Sequence, residues 1–299
     1  MPTLARIVTA IGTPLDRDES LHREGLDRHL ADQWSAGVDG ILAAGSMGAM
    51  QMLRDQTYRD LIEATAAASR GRAELLVGVG DAGWARTRDR IELASRFHID
   101  GVVVLTPYLF RFSQQELIDY FTSLADVSPL PMYLYDLPAL TGVALDVDLY
   151  AALARHPNIR GVKASGRLDF ARQLRDRFGD RFRVIVAEPD RVAGLLREGF
   201  MEHLDGMFAI APQWIMALVR AAAAGDYHAA DDYQRKLRAL RERLLETGRV
   251  MGAFTALMNG RGIPGRFHAA PYASLDEVGR AELAAAEIVC QLPPAGAAA

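Results

Sequence analysis

Short runs of apolar and often β-branched residues recur along the chain, and each precedes a longer segment with apolar positions at helical spacing. The runs begin roughly 20 to 35 residues apart, which is the period of a βα unit. The predicted strands are residues 7–9, 40–44, 75–79, 102–105, 132–135, 159–163, 184–186 and 206–210. Eight such units predict an α/β fold, and they favour a closed parallel (β/α)8 barrel over an open doubly wound sheet.

The segments between the strands carry helix signals. Apolar residues at three- and four-residue spacing predict helices over residues 21–36, 54–69, 85–97 and 113–124. Ser113 followed by Glu116 is a capping box, so a helix is expected to begin just after Ser113. We expect the barrel to span residues 1–225, a helical appendage without strands to span 226–290, and the Pro- and Ala-rich residues 291–299 to form a disordered tail.

Composition removes several classes of function. The chain of 299 residues has 34 basic and 38 acidic residues, so nucleic acid and anionic membrane are unexpected partners. Its single cysteine, Cys290, permits no internal disulfide and no thiolate metal cluster. No run of about 18 apolar residues exists, and the first residues lack the apolar core of a signal peptide. These features predict a cytoplasmic protein.

The use of lysine is the most informative detail of the composition. Among the 34 basic residues only Lys163 and Lys236 are lysines, and all the others are arginines. Arginine keeps its proton in proteins, whereas lysine can become a neutral amine that attacks a carbonyl. Lys236 lies in a charged amphipathic segment typical of a solvated helix. Lys163 ends the sixth predicted strand. A lysine at this position either occurs by chance or serves as a nucleophile.

Three predicted strand ends carry groups that fit one mechanism, since barrel enzymes place their chemistry at the carboxyl ends of the strands. Lys163 can form an imine with a 2-oxo acid, and the phenol of Tyr135, at the end of the fifth strand, can move the protons that this requires. The segment Gly45-Ser46-Met47-Gly48 follows the second strand, and its N–H groups and the Ser46 hydroxyl can hold a carboxylate. Taken singly, Tyr135 is equally consistent with a core tyrosine, and the glycines with a tight turn.

The chain resembles the dihydrodipicolinate synthase and N-acetylneuraminate lyase family of Schiff-base aldolases. The resemblance covers almost the whole chain and rests most on Tyr135-Asp-Leu-Pro138 and Gly161-Val-Lys163, which follow in the family's order. It also includes Thr13-Pro14, Gly45-Ser-Met-Gly48, Gly78-Val-Gly80, Thr106-Pro-Tyr108, Thr141-Gly142 and Asp205-Gly206.

The resemblance implies a (β/α)8 barrel with a C-terminal helical region, a homo-oligomer, and a lyase that needs no cofactor beyond the lysine imine with its 2-oxo acid substrate. It implies that Lys163 forms the imine, that Tyr135 shuttles protons and that Ser46 lies beside the substrate carboxylate. We also expect Leu140, Ser165 and Ile210 to line the substrate site, together with residues 45–48. No metal is expected.

Departures from the family pattern leave the second substrate open. Leu140 stands where the synthase branch has an arginine for a second carboxylate, and Leu109 stands where that branch has a second tyrosine. Ala49 replaces an acid of the family. The turn Pro138-Ala-Leu-Thr-Gly142 is similar to the sialic-acid lyase branch, but an apolar wall at residues 207–211 fits a long polyhydroxylated substrate poorly. Gly45-Ser-Met-Gly48 is also similar to the hydroxyproline-pathway deaminases.

Four alternative functions compete with this interpretation. Gly78, Gly80 and Gly83 match a dinucleotide fingerprint, but Asp100 precedes its strand and lies at the wrong edge for a ribose. The seven histidines show no metal-binding spacing, which disfavours a metal-dependent aldolase. A non-catalytic protein that binds a 2-oxo acid remains an alternative, as does a lysine-pathway synthase.

Overall fold

Eight parallel strands close into one barrel in the order of the sequence, from β1 next to β2 round to β8 next to β1. The computed structural model describes residues 4–298. The strands are β1 Arg6–Ala10, β2 Gly40–Ala43, β3 Glu74–Gly78, β4 Gly101–Leu105, β5 Met132–Asp136, β6 Ile159–Ser165, β7 Arg183–Ala187 and β8 Glu202–Asp205. This topology confirms the predicted (β/α)8 barrel.

Helices connect the strands and cover the outside of the barrel. Within residues 4–298 they are α1 Arg23–Ala36, α2 Asp55–Ser69, α3 Trp84–Ala94, α4 Gln114–Val127, α5 Pro138–Thr141, α6 Val147–Leu153, α7 Leu168–Phe178, α8 Val192–Arg197, α9 Gly206–Ile210, α10 Pro212–Ala223, α11 Tyr227–Glu246, α12 Val250–Gly260, α13 Glu277–Ala284 and α14 Glu287–Cys290. The capping box predicted at Ser113 is present at the start of α4, with both reciprocal hydrogen bonds formed.

The eighth strand is not where the sequence predicts it. Residues 206–210 form α9, and the strand is the preceding segment Glu202–Asp205. The Asp205 carboxylate accepts a hydrogen bond of 2.8 Å from the Met207 N–H and so caps α9. Hydrophobic pattern misses this strand because three of its four residues are polar: Glu202 pairs with Arg183, and His203 is fully buried.

Charged residues close the amino-terminal end of the barrel. Arg183 donates to Glu74 at 2.6 Å, to Glu202 at 2.8 Å and to the Tyr133 hydroxyl at 3.1 Å. Above them the interior is apolar; this inner core consists of Val8, Ala10, Leu42, Met50, Leu76, Val103, Leu105, Tyr133, Tyr135, Ile185 and Leu204. The open space therefore lies at the carboxyl ends of the strands.

The helices from α11 onward follow the barrel and pack against its side and its open end. The segment 291–298, for which the sequence predicts disorder, instead makes specific contacts: the Gly296 N–H donates to Asp32 at 2.9 Å, and Arg261 donates to the Pro293 carbonyl at 3.0 Å. The buried carboxylate of Asp32 binds the Gly296 N–H, and the composition of the segment does not reveal this partner. Across residues 4–298, no helix combines the length and apolar character needed to cross a membrane.

Candidate active site

Lys163 and Tyr135 face each other across neighbouring strands inside the open end of the barrel. They are direct register partners on β6 and β5, and both are buried, with 3% and 2% of their surface exposed. The Lys163 Nζ donates a hydrogen bond of 2.8 Å to the Tyr135 hydroxyl, which lies 3.1 Å from Ser46 Oγ. The structure thus brings the three predicted catalytic residues into one hydrogen-bonded chain.

The loop after β2 positions Ser46 for its hydrogen bond with Tyr135. Residues Ser46–Gly48 form a single 3-10 turn, closed by the Gly48 N–H donating to the Gly45 carbonyl at 2.9 Å. Thr13 fixes the turn from below, because its hydroxyl donates to the Gly48 carbonyl at 2.8 Å. The first N–H groups of such a turn, those of Ser46 and Met47, have no partner within it and are available to an anion.

Gly45 and Gly48, predicted to bind substrate, instead shape this turn and do not line the cavity. A Cβ on Gly45 would lie 2.9 Å from the Leu42 side chain, and one on Gly48 would lie 3.1 Å from the Ile11 carbonyl oxygen. The Gly48 N–H is already bonded to Gly45, so it is not free for a ligand. The sequence identifies the right loop, but only Ser46 and Met47 reach the cavity.

A cavity of about 790 Å³ opens above Lys163. Ser165, two residues further along β6, lines it; its hydroxyl is buried and has no partner among the described residues. Leu140 lies at the rim with 71% of its surface exposed. Residues after the barrel complete the wall, including Arg249 and Tyr272. Ser165 and Leu140 therefore both line the cavity, and their contact with substrate stays a prediction.

Ile210 does not line the cavity. It is fully buried near the end of α9, and its carbonyl accepts a hydrogen bond of 2.8 Å from Arg261. The prediction fails because it takes residues 206–210 as a strand, which would carry Ile210 to the open end. The helix turns it away, and Gly206 and Met207 line the cavity instead.

Sequence reasoning missed the acidic residues of the cavity wall. Glu188 and Asp190 follow β7, and Asp205 ends β8. Burial raises the pKa of Glu188 and of Asp205, and for Asp205 the nearby Lys163 charge partly opposes this. Asp190 pairs with Arg241 at 2.9 Å. Their signal in the sequence was available, since each follows the end of a strand.

The glycines of the possible dinucleotide fingerprint have a packing role. A Cβ on Gly78 would lie 2.1 Å from the Ala44 carbonyl oxygen, and one on Gly80 would lie 2.5 Å from the Leu105 nitrogen. Asp100, the candidate ribose ligand, instead accepts the Leu75 N–H at 2.7 Å. These glycines therefore let neighbouring strand ends and loops approach closely.

No group of three or more His, Cys, Asp or Glu side chains within residues 4–298 is arranged to hold a metal ion. The histidines are scattered, and two of them, His29 and His203, are fully buried.

Comparison with known proteins places the chain in a family. Residues 3–288 match the model of the dihydrodipicolinate synthetase family. The 4-hydroxy-tetrahydrodipicolinate synthase of Xanthomonas campestris pv. campestris is 32% identical over 240 residues, which is 79% of this chain and 78% of that protein. The synthase of Acidiphilium cryptum is 28% identical over 284 residues, covering 93% and 96% of the two chains.

Solved structures agree with this match. YagE, a prophage protein of the dihydrodipicolinic acid synthase family from E. coli K12 in complex with pyruvate, has a TM-score of 0.86 at 27% identity and covers 93% of this chain and 96% of its own. CdNal from Clostridium difficile in complex with mannosamine shares the fold, with a TM-score of 0.89 at 17% identity over 97% and 100% of the chains. The chain belongs to the dihydrodipicolinate synthetase family and is a lyase of the class I aldolase type, as the resemblance implies.

Proposed function

We propose that this protein is a Schiff-base lyase that binds pyruvate or a related 2-oxo acid covalently through Lys163. The observation that carries the proposal is the chain of hydrogen bonds from Lys163 through Tyr135 to Ser46 at the base of the cavity. It places a buried amine, a phenol and a hydroxyl within reach of one small substrate. The pyruvate bound by the related YagE supports the choice of 2-oxo acid.

The proposal gives each group a role. Lys163 Nζ attacks the carbonyl carbon of the 2-oxo acid, and the resulting carbinolamine loses water to give the imine. Tyr135, 2.8 Å from Nζ, protonates the departing hydroxyl, and Ser46 passes protons to and from the phenol. The substrate carboxylate lies against the Ser46 hydroxyl and the N–H groups of Ser46 and Met47. The Tyr135 phenolate left by that step accepts a proton from C3, which gives the enamine. The enamine carbon C3 then forms a bond to the carbonyl carbon of the partner, and cleavage of the same bond releases the partner in the reverse direction.

For the partner substrate we propose a hydroxylated, uncharged carbonyl compound. The wall beside Lys163 carries the carboxylates of Glu188 and Asp205 and the unpartnered Ser165 hydroxyl, all suited to hydroxyl groups. Of the apolar wall expected from residues 207–211, only Met207 lines the cavity, because residues 206–210 form α9. The two arginines of the wall are already engaged: Arg241 pairs with Asp190, and the Arg249 side chain donates to the Ser274 carbonyl.

A lysine-pathway synthase is the weaker alternative. Its second carboxylate would meet Leu140, which lies at the rim where that branch has an arginine. Without that arginine the second carboxylate has no cationic partner at this exposed rim, a loss of about 1 kcal/mol or less. Leu109, at the position of the second tyrosine, is 78% exposed. Leu109 is not among the residues that line the cavity.

Exchange of the pyruvate methyl protons with deuterated water tests the catalytic role without any partner substrate. Imine and enamine formation at Lys163 predicts exchange that is abolished in Lys163→Arg and retained in Lys236→Arg, the matched control at the other lysine. Binding of pyruvate without exchange in the wild type would favour the non-catalytic alternative. Exchange that survives in Lys163→Arg would refute the proposal.

The partner preference has its own test. We expect pyruvate to react with glyceraldehyde at a kcat/KM at least about tenfold above that with succinic semialdehyde, since a buried polar group left unpaired costs about 1–3 kcal/mol. Leu140→Arg should narrow this ratio by raising the kcat/KM for succinic semialdehyde, because the introduced arginine can pair with its carboxylate. A wild-type preference for succinic semialdehyde would contradict the proposal.

A further inference from the structure

Behind the strand ends that carry Lys163 and Tyr135 lies a buried ion pair that the chemistry above does not use. Asp136 is the residue after Tyr135 and is fully buried. Its Oδ2 accepts a hydrogen bond of 2.5 Å from Nη1 of Arg167, four residues after Lys163. Successive side chains of a strand point to opposite faces, so Tyr135 faces the barrel interior and Asp136 faces the helical layer.

Arg167 joins three segments that surround the site. Besides Asp136 at the end of β5, its Nη1 donates to the Leu145 carbonyl at 2.7 Å, which anchors the segment between α5 and α6. Arg167 itself follows Ser165 and Gly166, which line the cavity. Its guanidinium also lies 3.8 Å from the centre of the Phe170 ring, which limits its movement. A single side chain therefore ties together the end of β5, the loop after β6 and the loop that follows Leu140.

Burying the Asp136 carboxylate costs free energy, and this cost favours a positional role for the ion pair over a stabilising one. Burial raises the pKa of Asp136, although the Arg167 charge and hydrogen bonds from Arg167, the Leu145 backbone and the Tyr150 hydroxyl oppose this. The buried phenol of Tyr150 lies beside it, and burial together with the Asp136 charge raises the pKa of Tyr150. Buried ion pairs contribute little net stability compared with apolar packing, and fixing one geometry is their better-supported use.

From these contacts we propose that Asp136 and Arg167 are positioning residues that hold the Tyr135 phenol against the Lys163 amine. In the register of β5 and β6, Tyr135 lies opposite Lys163 and Asp136 lies opposite Ala164. The inner hydrogen bond and the outer ion pair thus fix the same two strand ends from both faces of the barrel wall. A displacement of about 1 Å at reacting groups can cost about a hundredfold in rate.

The test measures imine formation per active site, and it rests on the imine chemistry proposed above. Wild type and variants are mixed with pyruvate and quenched with borohydride at increasing times, and the adduct is counted by intact mass. We expect Asp136→Asn to form imine about ten- to a hundredfold more slowly, with the same final adduct per protein. The pyruvate KM of the exchange reaction should change less than about threefold, since the Ser46 turn is untouched. Arg167→Met should act likewise, and Arg167→Lys should recover part of the rate.

Asp32→Asn is the matched control, because Asp32 is also fully buried and pairs with a buried arginine, Arg261, at 2.7 Å in the outer layer. It should lower the Tm while leaving the rate of imine formation unchanged. Wild-type rates in both Asp136→Asn and Arg167→Met would overturn the inference and leave the pair a structural one. Should Asp136→Asn not fold, Arg167→Met and Arg167→Lys decide alone, since Arg167 is partly exposed. Absence of adduct in the wild type would instead refute the proposed function.

Discussion

The Tyr135 hydroxyl lies between the amine of Lys163 and the hydroxyl of Ser46, at 2.8 and 3.1 Å. When the phenol oxygen accepts a hydrogen bond from one neighbour, its own O–H can donate to the other. The phenol can therefore relay a proton between the imine nitrogen and the turn that faces the carboxylate. Lys163 was identifiable in the sequence because the chain uses arginine almost everywhere else. Ile210 was misplaced because one residue's direction depends on the element that carries it.

Tyr135→Phe isolates the relay at the residue scale. We expect deuterium exchange into pyruvate to slow by about a hundredfold or more, the usual worth of a positioned general acid or base. Tyr133→Phe is the matched control, because Tyr133 lies on the same strand and its hydroxyl bonds Arg183 at the closed end of the barrel. Equal exchange rates in Tyr135→Phe and the wild type would show that the phenol moves no proton.

Each strand end positions its side chain through backbone pairing with its neighbours. Seven strands and the helices after the first four were predictable, because their apolar positions follow strand or helix periods and Ser113 signals a helix start. The eighth strand was not, because three of its four residues are polar, two acids and a histidine, and the hydrophobic pattern does not reveal that they form a strand of the barrel. Glu188 and Asp190 of the cavity wall were overlooked although they follow a predicted strand, and Asp205 was overlooked because its strand was misplaced.

The close approach of β6 and β7 gives a prediction at the element scale. A Cβ on Gly161 would lie 2.2 Å from the Arg183 carbonyl oxygen, so Gly161→Ala forces two strands apart. We expect it to lower the free energy of unfolding by about 2 kcal/mol, as overpacking does. Gly194→Ala in α8, where nothing lies within 4 Å, should be neutral or stabilising. Equal denaturation midpoints for the two variants would contradict this packing.

At the scale of the whole molecule, the charged closed end leaves one entrance to the barrel, and residues after α10 form part of its roof. The barrel was predictable from the repeat of eight βα units. The roof was not, because Arg249 and Tyr272 reach the cavity from a region far from Lys163 in sequence. Oligomerisation stays a prediction, and the mass measured by light scattering tests it.

Two buried histidines predict how the stability of the whole molecule depends on pH. Burial lowers the pKa of His29 and of His203 from 6.5 to about 4. Between these values the unfolded chain binds protons that the native chain does not. The stabilisation is therefore complete above about pH 6.5 and is lost as the pH falls toward 4, by about 1 kcal/mol per pH unit for each histidine.

Urea unfolding at pH 7, 6 and 5 measures this slope. His29→Asn should reduce it by about 1 kcal/mol per pH unit, whereas the exposed His228→Asn should leave it as in the wild type. A His29→Asn slope equal to that of the wild type would show that His29 takes up a proton in the native state.

The most direct test of the central claim, that Lys163 forms an imine with pyruvate, is borohydride reduction followed by peptide mass spectrometry. Because Lys163 and Lys236 are the two lysines of the chain, the adduct can be assigned without ambiguity. We predict one reduced pyruvate adduct per protein, on the peptide that contains Lys163, in the wild type and in Lys236→Arg but not in Lys163→Arg. Folded protein with no adduct, or with its adduct on Lys236, would contradict the account.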